Sequence, residues 1–112
     1  MEEGIPCKPI EVSLIYDEHL TDVYDYTVDI FGEIQAERYI QKIEKTIETL
    51  PERYLFYPEC RHIPTQSGMY RNIILDAHLI VYRITGKRIE VLDIIHSASS
   101  IGKIRSVRKI RF

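Results

Sequence analysis

The chain is read as an α/β domain of the α+β kind: an N-terminal strand and an antiparallel helical hairpin packed on a small antiparallel sheet. Three observations predict this. Between Met69 and His96 lie three runs rich in Ile, Val, Leu and Tyr, separated by polar or glycine-containing breaks, which suits consecutive strands. Between Asp17 and Leu50, apolar residues recur at helical spacing on either side of Gly32, which suits two helices joined tightly. The apolar residues of the last two strands fall on both faces of their hairpin, so the sheet must be covered twice.

Residues 1–9 read as a loose arm carrying Pro6 and Pro9. Ile10–Tyr16 alternates Ile10, Val12, Leu14 and Tyr16 onto one side, as an edge strand would. Asp17 suits a helix N-cap, and Leu20, Val23, Tyr24, Thr27, Ile30 and Phe31 mark the face of the first helix. Gly32 suits its C-terminal stop. The second helix runs from Glu33 to Leu50 along a narrow seam of Ala36, Ile40, Ile43, Ile47 and Leu50, with Pro51 as its stop. Tyr54, Leu55, Phe56 and Tyr57 anchor an irregular connector containing Pro58 and Pro64.

The three strands are Tyr70–Leu75, His78–Ile84 and Arg88–His96. With Gly86-Lys87 central to a tight turn, and Gly86 supplying a positive φ, the register pairs Ile84 with Ile89, Arg83 with Glu90 and Tyr82 with Val91. Continued, it pairs Val81 with Leu92, Ile80 with Asp93 and Leu79 with Ile94. Tyr82, Ile84, Ile80, Ile89, Val91, Asp93 and Ile95 then share one face. Leu79, Val81, Arg83, Glu90, Leu92, Ile94 and His96 share the other. Residues 97–112 form a basic tail whose Ile101, Ile104, Val107 and Ile110 fit either a short amphipathic helix or an added edge strand.

One domain spans residues 1–112, with its core at about 10–96 and the tail at 97–112. Hydrophobic content of 45% and charged content of 29% are those of a soluble globular chain. No apolar run is long enough for a membrane span, and the acidic start does not read as a signal peptide. Cys7 and Cys60, without a C-x-x-C, fit a reduced cytoplasmic protein. The net charge of −2 conceals a split. Residues 1–60 carry five bases against fourteen acids, and residues 61–112 carry ten bases against three. Either the basic half faces a polyanion, or the two halves neutralise each other.

Strand, helical hairpin, Tyr-Pro connector and three strands ending in His together resemble the RelE/ParE superfamily of bacterial type II toxin–antitoxin toxins, known also as plasmid-stabilisation proteins. The residues that carry the resemblance are Tyr24-Asp25-Tyr26, Ala36-Glu37-Arg38-Tyr39, Tyr57-Pro58, Gly68-Met69-Tyr70-Arg71, Leu79-Ile80-Val81-Tyr82-Arg83-Ile84, Ile89-Glu90-Val91-Leu92 and Ile94-Ile95-His96. The wording is closer to ParE-like members, which the resemblance implies are inhibitors of DNA gyrase held in check by a cognate antitoxin. The alternatives are a RelE-like mRNA interferase, which is a ribosome-dependent endoribonuclease, and a non-toxic protein-binding relic of the family. No cofactor is implied, and an oligomer with itself or with the antitoxin is open.

If the chain is a nuclease, metal-free RNA cleavage needs an acid, a base and cations at the phosphate. His96 is then the acid or base, Arg71 and Arg83 hold phosphate, and Tyr82 stacks on a base or donates a proton. Each residue also has a structural reading. Arg83 faces Glu90 across the hairpin, Tyr82 lies on an apolar face, Arg71 snorkels from the sheet and His96 closes a strand. His19, His62 and His78 lack metal-ligand spacing, and no phosphate-cradling Gly loop is present. Lys87, Arg88, Lys103, Arg105, Arg108, Lys109 and Arg111 are the candidates for contact with nucleic acid or with an acidic antitoxin segment. An antitoxin element laid over one sheet face is expected to supply its second cover.

Overall fold

The structure, a computed structural model, describes residues 6–112, so residues 1–5 of the arm expected to be loose lie outside it. Pro6, Lys8 and Pro9 of that arm are hydrogen-bonded to Tyr54, Pro51 and Ile89, respectively. Its elements are β1 (Ile10–Val12), α1 (Leu14–Phe31), α2 (Glu33–Glu48), α3 (Leu50–Arg53), β2 (Tyr70–Ile74), β3 (His78–Ile84), β4 (Ile89–His96) and α4 (Ile101–Ser106). A 3₁₀ turn at Val107–Lys109 follows. The fold is the expected α+β arrangement, with the sheet ordered β1-β4-β3-β2. It is mixed rather than antiparallel, because β1 runs parallel to β4, pairing Ile10 with Ile89 and Val12 with Val91.

The first strand is shorter than alternation suggested, and its end explains why. Ser13, not Asp17, caps α1: its Oγ accepts the Tyr16 N–H at 2.9 Å. That cap draws Leu14, Ile15 and Tyr16 into the helix, where Tyr16 turns into the core. Gly32 ends α1 at φ +90°, a conformation side chains resist, and its N–H donates to the Val28 carbonyl at 2.8 Å. At this turn Ile30 and Phe31 are exposed rather than packed. The second helix stops at Glu48, and Pro51 sits in the first turn of α3, where its missing N–H costs nothing.

The β3–β4 hairpin keeps the expected register from Ile84↔Ile89 to Tyr82↔Val91, then slips by one. Val81 pairs with Asp93, Ile80 with Ile94 and Leu79 with Ile95, so Leu92 is the extra residue of a β-bulge. The pairings of Val81 with Leu92, Ile80 with Asp93 and Leu79 with Ile94 are therefore corrected. The slip exchanges two faces: Ile94 joins the core under the helices, and Ile95 the opposite one. The turn is held by Thr85, whose hydroxyl donates to the Arg88 carbonyl at 2.8 Å and accepts the N–H groups of Lys87 and Arg88. Gly86 has no positive φ.

Two cores sandwich the sheet. On one side Tyr16, Val23, Ile43, Leu50 and Tyr54 pack on Ile73, Ile80, Tyr82, Ile89, Val91 and Ile94. On the other, Leu79, Val81, Leu92 and Ile95 are covered by Cys60 and Ile63 of the connector and by Ile104 and Val107 of the tail. The second cover thus comes from the chain itself and not from a partner. The helical option for the tail is the one adopted, capped by Ser100, whose Oγ accepts the Lys103 N–H.

Candidate functional site

Of the four residues that nuclease chemistry would need, Arg71, Tyr82 and Arg83 lie on neighbouring positions of β2 and β3, and His96 lies apart from them. Tyr82 is fully buried, and its hydroxyl donates to the Tyr54 carbonyl at 2.6 Å. Burial pushes its pKa well above the usual 10, which suits a fixed donor and not a proton shuttle. Arg71, opposite Tyr82 on β2, donates to the carbonyls of Tyr57 (2.7 Å), Leu55 (3.3 Å) and Gly68 (3.3 Å). Rather than snorkelling, it ties both ends of the irregular connector to the sheet.

Arg83 sits at the turn end of β3. Its Nε and Nη2 both lie 2.7 Å from Glu90 Oε1, and Arg88 takes the other oxygen, with Nε and Nη2 both at 2.8 Å. Arg88 also pairs with Glu11 on β1. This network laces three strands together at the turn end of the sheet. Burial raises the Glu90 pKa, but hydrogen bonds and charge from Arg83 and Arg88 outweigh it and hold the carboxyl below 4.5.

His96 lies at the other end of the sheet, opposite His78. His78 and Arg83 are five steps apart along β3, roughly 17 Å at the usual rise per residue. Arg83 and His96 therefore do not converge on one phosphate. His96 is exposed and its Nδ1 accepts the Ala98 N–H at 3.0 Å. The His78 and His96 rings meet edge to face at 5.6 Å, and the Tyr39 hydroxyl shares a 2.8 Å hydrogen bond with His78 Nδ1. Burial, then the neighbouring His96, lowers the His78 pKa from 6.5.

Two polar contacts escaped sequence reasoning because their partners lie more than seventy residues apart. The His19 Nδ1–H donates to Asp93 Oδ1 at 2.6 Å, joining α1 to the bulge. Burial raises the Asp93 pKa despite the hydrogen bond and charge of His19. The Ser13 hydroxyl donates to the Leu92 carbonyl at 2.6 Å. Serine is a favoured N-cap type, but the strand alternation over Ile10–Tyr16 masks that signal at Ser13. Among the described residues no cluster of His, Cys, Asp and Glu could hold a metal ion.

Among the described residues, large apolar side chains are exposed at Leu14, Phe56 and Ile74, and in a group at the helical hairpin. The tip of the α1–α2 hairpin exposes Tyr26, Ile30, Phe31 and Ile34, beside a groove lined by Arg38, Tyr39 and His78. Across the sheet, Lys103, Arg105, Arg108, Lys109 and Arg111 stand exposed on the tail, with Lys87 exposed at the turn. Arg88, by contrast, is committed to Glu90 and Glu11.

The family model described as "ParE toxin of type II toxin-antitoxin system, parDE" matches residues 10–101. Toxin ParE1 of Mycobacterium tuberculosis, found in strains CDC 1551/Oshkosh and H37Rv, is 28% identical over 86 residues, covering 76% of this chain and 85% of its own. A solved chain from the chromosomal ParDE TA system of P. aeruginosa superposes with a TM-score of 0.66 at 20% identity. The match covers 80% of this chain and 96% of that one, a likeness of fold. No helix among the described residues is long and apolar enough to cross a membrane.

Proposed function

This chain belongs to the ParE toxin family of type II toxin–antitoxin systems, and on that premise we propose that it acts in the cytoplasm by binding and inhibiting DNA gyrase, and that a cognate antitoxin neutralises it. The observation that carries this reading over a ribosome-dependent nuclease is the employment of the candidate catalytic groups. Tyr82, Arg71 and Arg83 are each spent on carbonyls or a carboxylate of the fold, and His96 lies a sheet length from Arg83. A binding inhibitor needs surfaces rather than a converged acid, base and cation. The exposed apolar hairpin tip offers an antitoxin segment the anchor that protein interfaces use.

The test is a supercoiling assay with purified gyrase and relaxed plasmid, run beside a translating extract. Inhibited supercoiling, relieved by the antitoxin and unchanged in a folded His96→Gln variant, is the expected result. Unaffected gyrase together with cleaved mRNA on ribosomes, lost in His96→Gln by the about 10²–10⁴-fold that removal of a positioned acid or base brings, would replace this reading with the nuclease.

A further inference from the structure

The split of charge along the sequence becomes a split in space. The helices carrying Asp17, Glu18, Asp22, Asp25, Asp29, Glu33, Glu37, Glu44 and Glu48 lie on one side of the sheet. The tail, which has no acid after Asp93, packs on the other. Burial of Ile104 and Val107 fixes α4 and its 3₁₀ turn against the second core, so the tail's cations are displayed on an ordered surface. Lys103, Arg105, Arg108, Lys109 and Arg111 are exposed, and among the described residues none forms an ion pair, whereas Arg83 and Arg88 both do. The charge of Lys103 reaches the buried Asp93 carboxyl.

We infer that this surface binds the phosphate backbone of duplex DNA through Lys103, Arg105, Arg108, Lys109 and Arg111. The site goes beyond the inhibition proposed above and is independent of it. Nine residues of helix and 3₁₀ turn extend roughly 12–16 Å. Duplex DNA presents about eight phosphate charges over that length, at about one per 1.7 Å. The five cations are therefore opposed by a comparable charge. A protein partner is less well matched, because the tail exposes only Ile101 and Phe112 as large apolar groups, and Arg88 lies over the Phe112 ring. Protein interfaces depend on apolar anchors, while phosphate contact does not. The cations are assigned to phosphates, whose contacts carry no sequence information, so binding of this kind is indifferent to sequence.

The experiment is a fluorescence-anisotropy titration of the full chain with a short labelled duplex of mixed sequence, at two salt concentrations. Five phosphate contacts predict a log–log salt slope near about −4.5, so raising salt from about 50 to 200 mM weakens binding about 500-fold. A variant carrying Lys103→Gln, Arg105→Gln, Arg108→Gln, Lys109→Gln and Arg111→Gln loses the slope. A second, with Arg105→Lys, Arg108→Lys and Arg111→Lys, keeps it. Circular dichroism reports whether each is folded. The wild-type slope decides alone if the neutralised variant does not fold: a slope shallower than about −2 overturns the site. Equal affinity of wild-type and folded neutralised chains overturns it too. Tighter binding of polyglutamate than of the duplex overturns it in favour of an acidic protein.

Discussion

Replacing Ser13 tests how β1, α1 and the bulge are joined. Its N–H donates to the Val91 carbonyl at 3.0 Å, and its hydroxyl donates to the Leu92 carbonyl at 2.6 Å. Consecutive carbonyls of a regular strand point to opposite neighbours. One residue can reach both here because the bulge at Leu92 turns the backbone. The same hydroxyl oxygen caps α1. Ser13→Ala therefore removes a cap worth about 1 kcal/mol and leaves a buried carbonyl unmatched, costing about 1–2 kcal/mol more. An unfolding entropy of about 2.1 cal/mol/K per residue over 112 residues makes each kcal/mol worth about 4 °C, so the Tm should fall by about 8–13 °C. Ser13→Gly separates the two effects. Glycine caps nearly as well as serine, within a few tenths of a kcal/mol, so its loss of about 1–2 kcal/mol reports the Leu92 bond. Thermal melts followed by circular dichroism read both variants. A Tm for Ser13→Ala within about 2 °C of wild type would refute the argument.

Two further outcomes follow from buried polar groups. Tyr82→Phe keeps the ring but strips the Tyr54 carbonyl of its donor, so denaturant melts should show a loss of about 1–2 kcal/mol while the proposed gyrase inhibition is unchanged in the folded protein. Loss of inhibition without loss of stability would instead give the hydroxyl a chemical role. His78 has a folded pKa below its ordinary 6.5, so the unfolded chain takes up its proton first. Its contribution to stability is complete above the unfolded value and is lost as pH falls from 6.5 through the folded one. Wild-type Tm should thus drop more steeply than that of His78→Gln between about pH 7 and 5, and parallel curves would rule out the burial of a neutral His78.

The helical hairpin and three of the strands were legible because each is announced locally. Period and punctuation agree at Gly32, and apolar runs alternate with breaks from Tyr70 to His96. What failed was decided at a distance. A strand pattern over Ile10–Tyr16 lost to a serine cap whose hydroxyl also serves β4. Pro51 was read as a stop because nothing local distinguishes a helix end from the first turn of the next. The hairpin register was correct for as long as counting from the turn governs it, and failed where the bulge inserted Leu92. No apolar or polar pattern marks that insertion, since Leu92, Ile94 and Ile95 fit either face. The need for two covers was legible in the two-sided apolar pattern. The identity of the second was not, because Ile104 and Val107 recur at a spacing equally suited to a free amphipathic helix.

The candidate site illustrates a different limit. Arg71, Tyr82 and Arg83 stood out because they belong to the segments through which the chain resembles its family. Their contacts explain why such segments are recognisable without invoking chemistry. Arg71 ties down the connector, Tyr82 anchors it from beneath, and Arg83 holds Glu90 within a three-strand network. Residue types that would serve a phosphate serve equally to satisfy carbonyls and carboxylates in a small domain with little core to spare. Spacing in the sequence cannot separate the two uses, since either needs the same groups on the same strands. Direction separates them. Arg71 gives its Nε and Nη1 donors to three backbone carbonyls, and Arg83 lies a sheet length from His96. At the hairpin tip and the tail, most of the exposed apolar and charged side chains stand without such commitments to the fold.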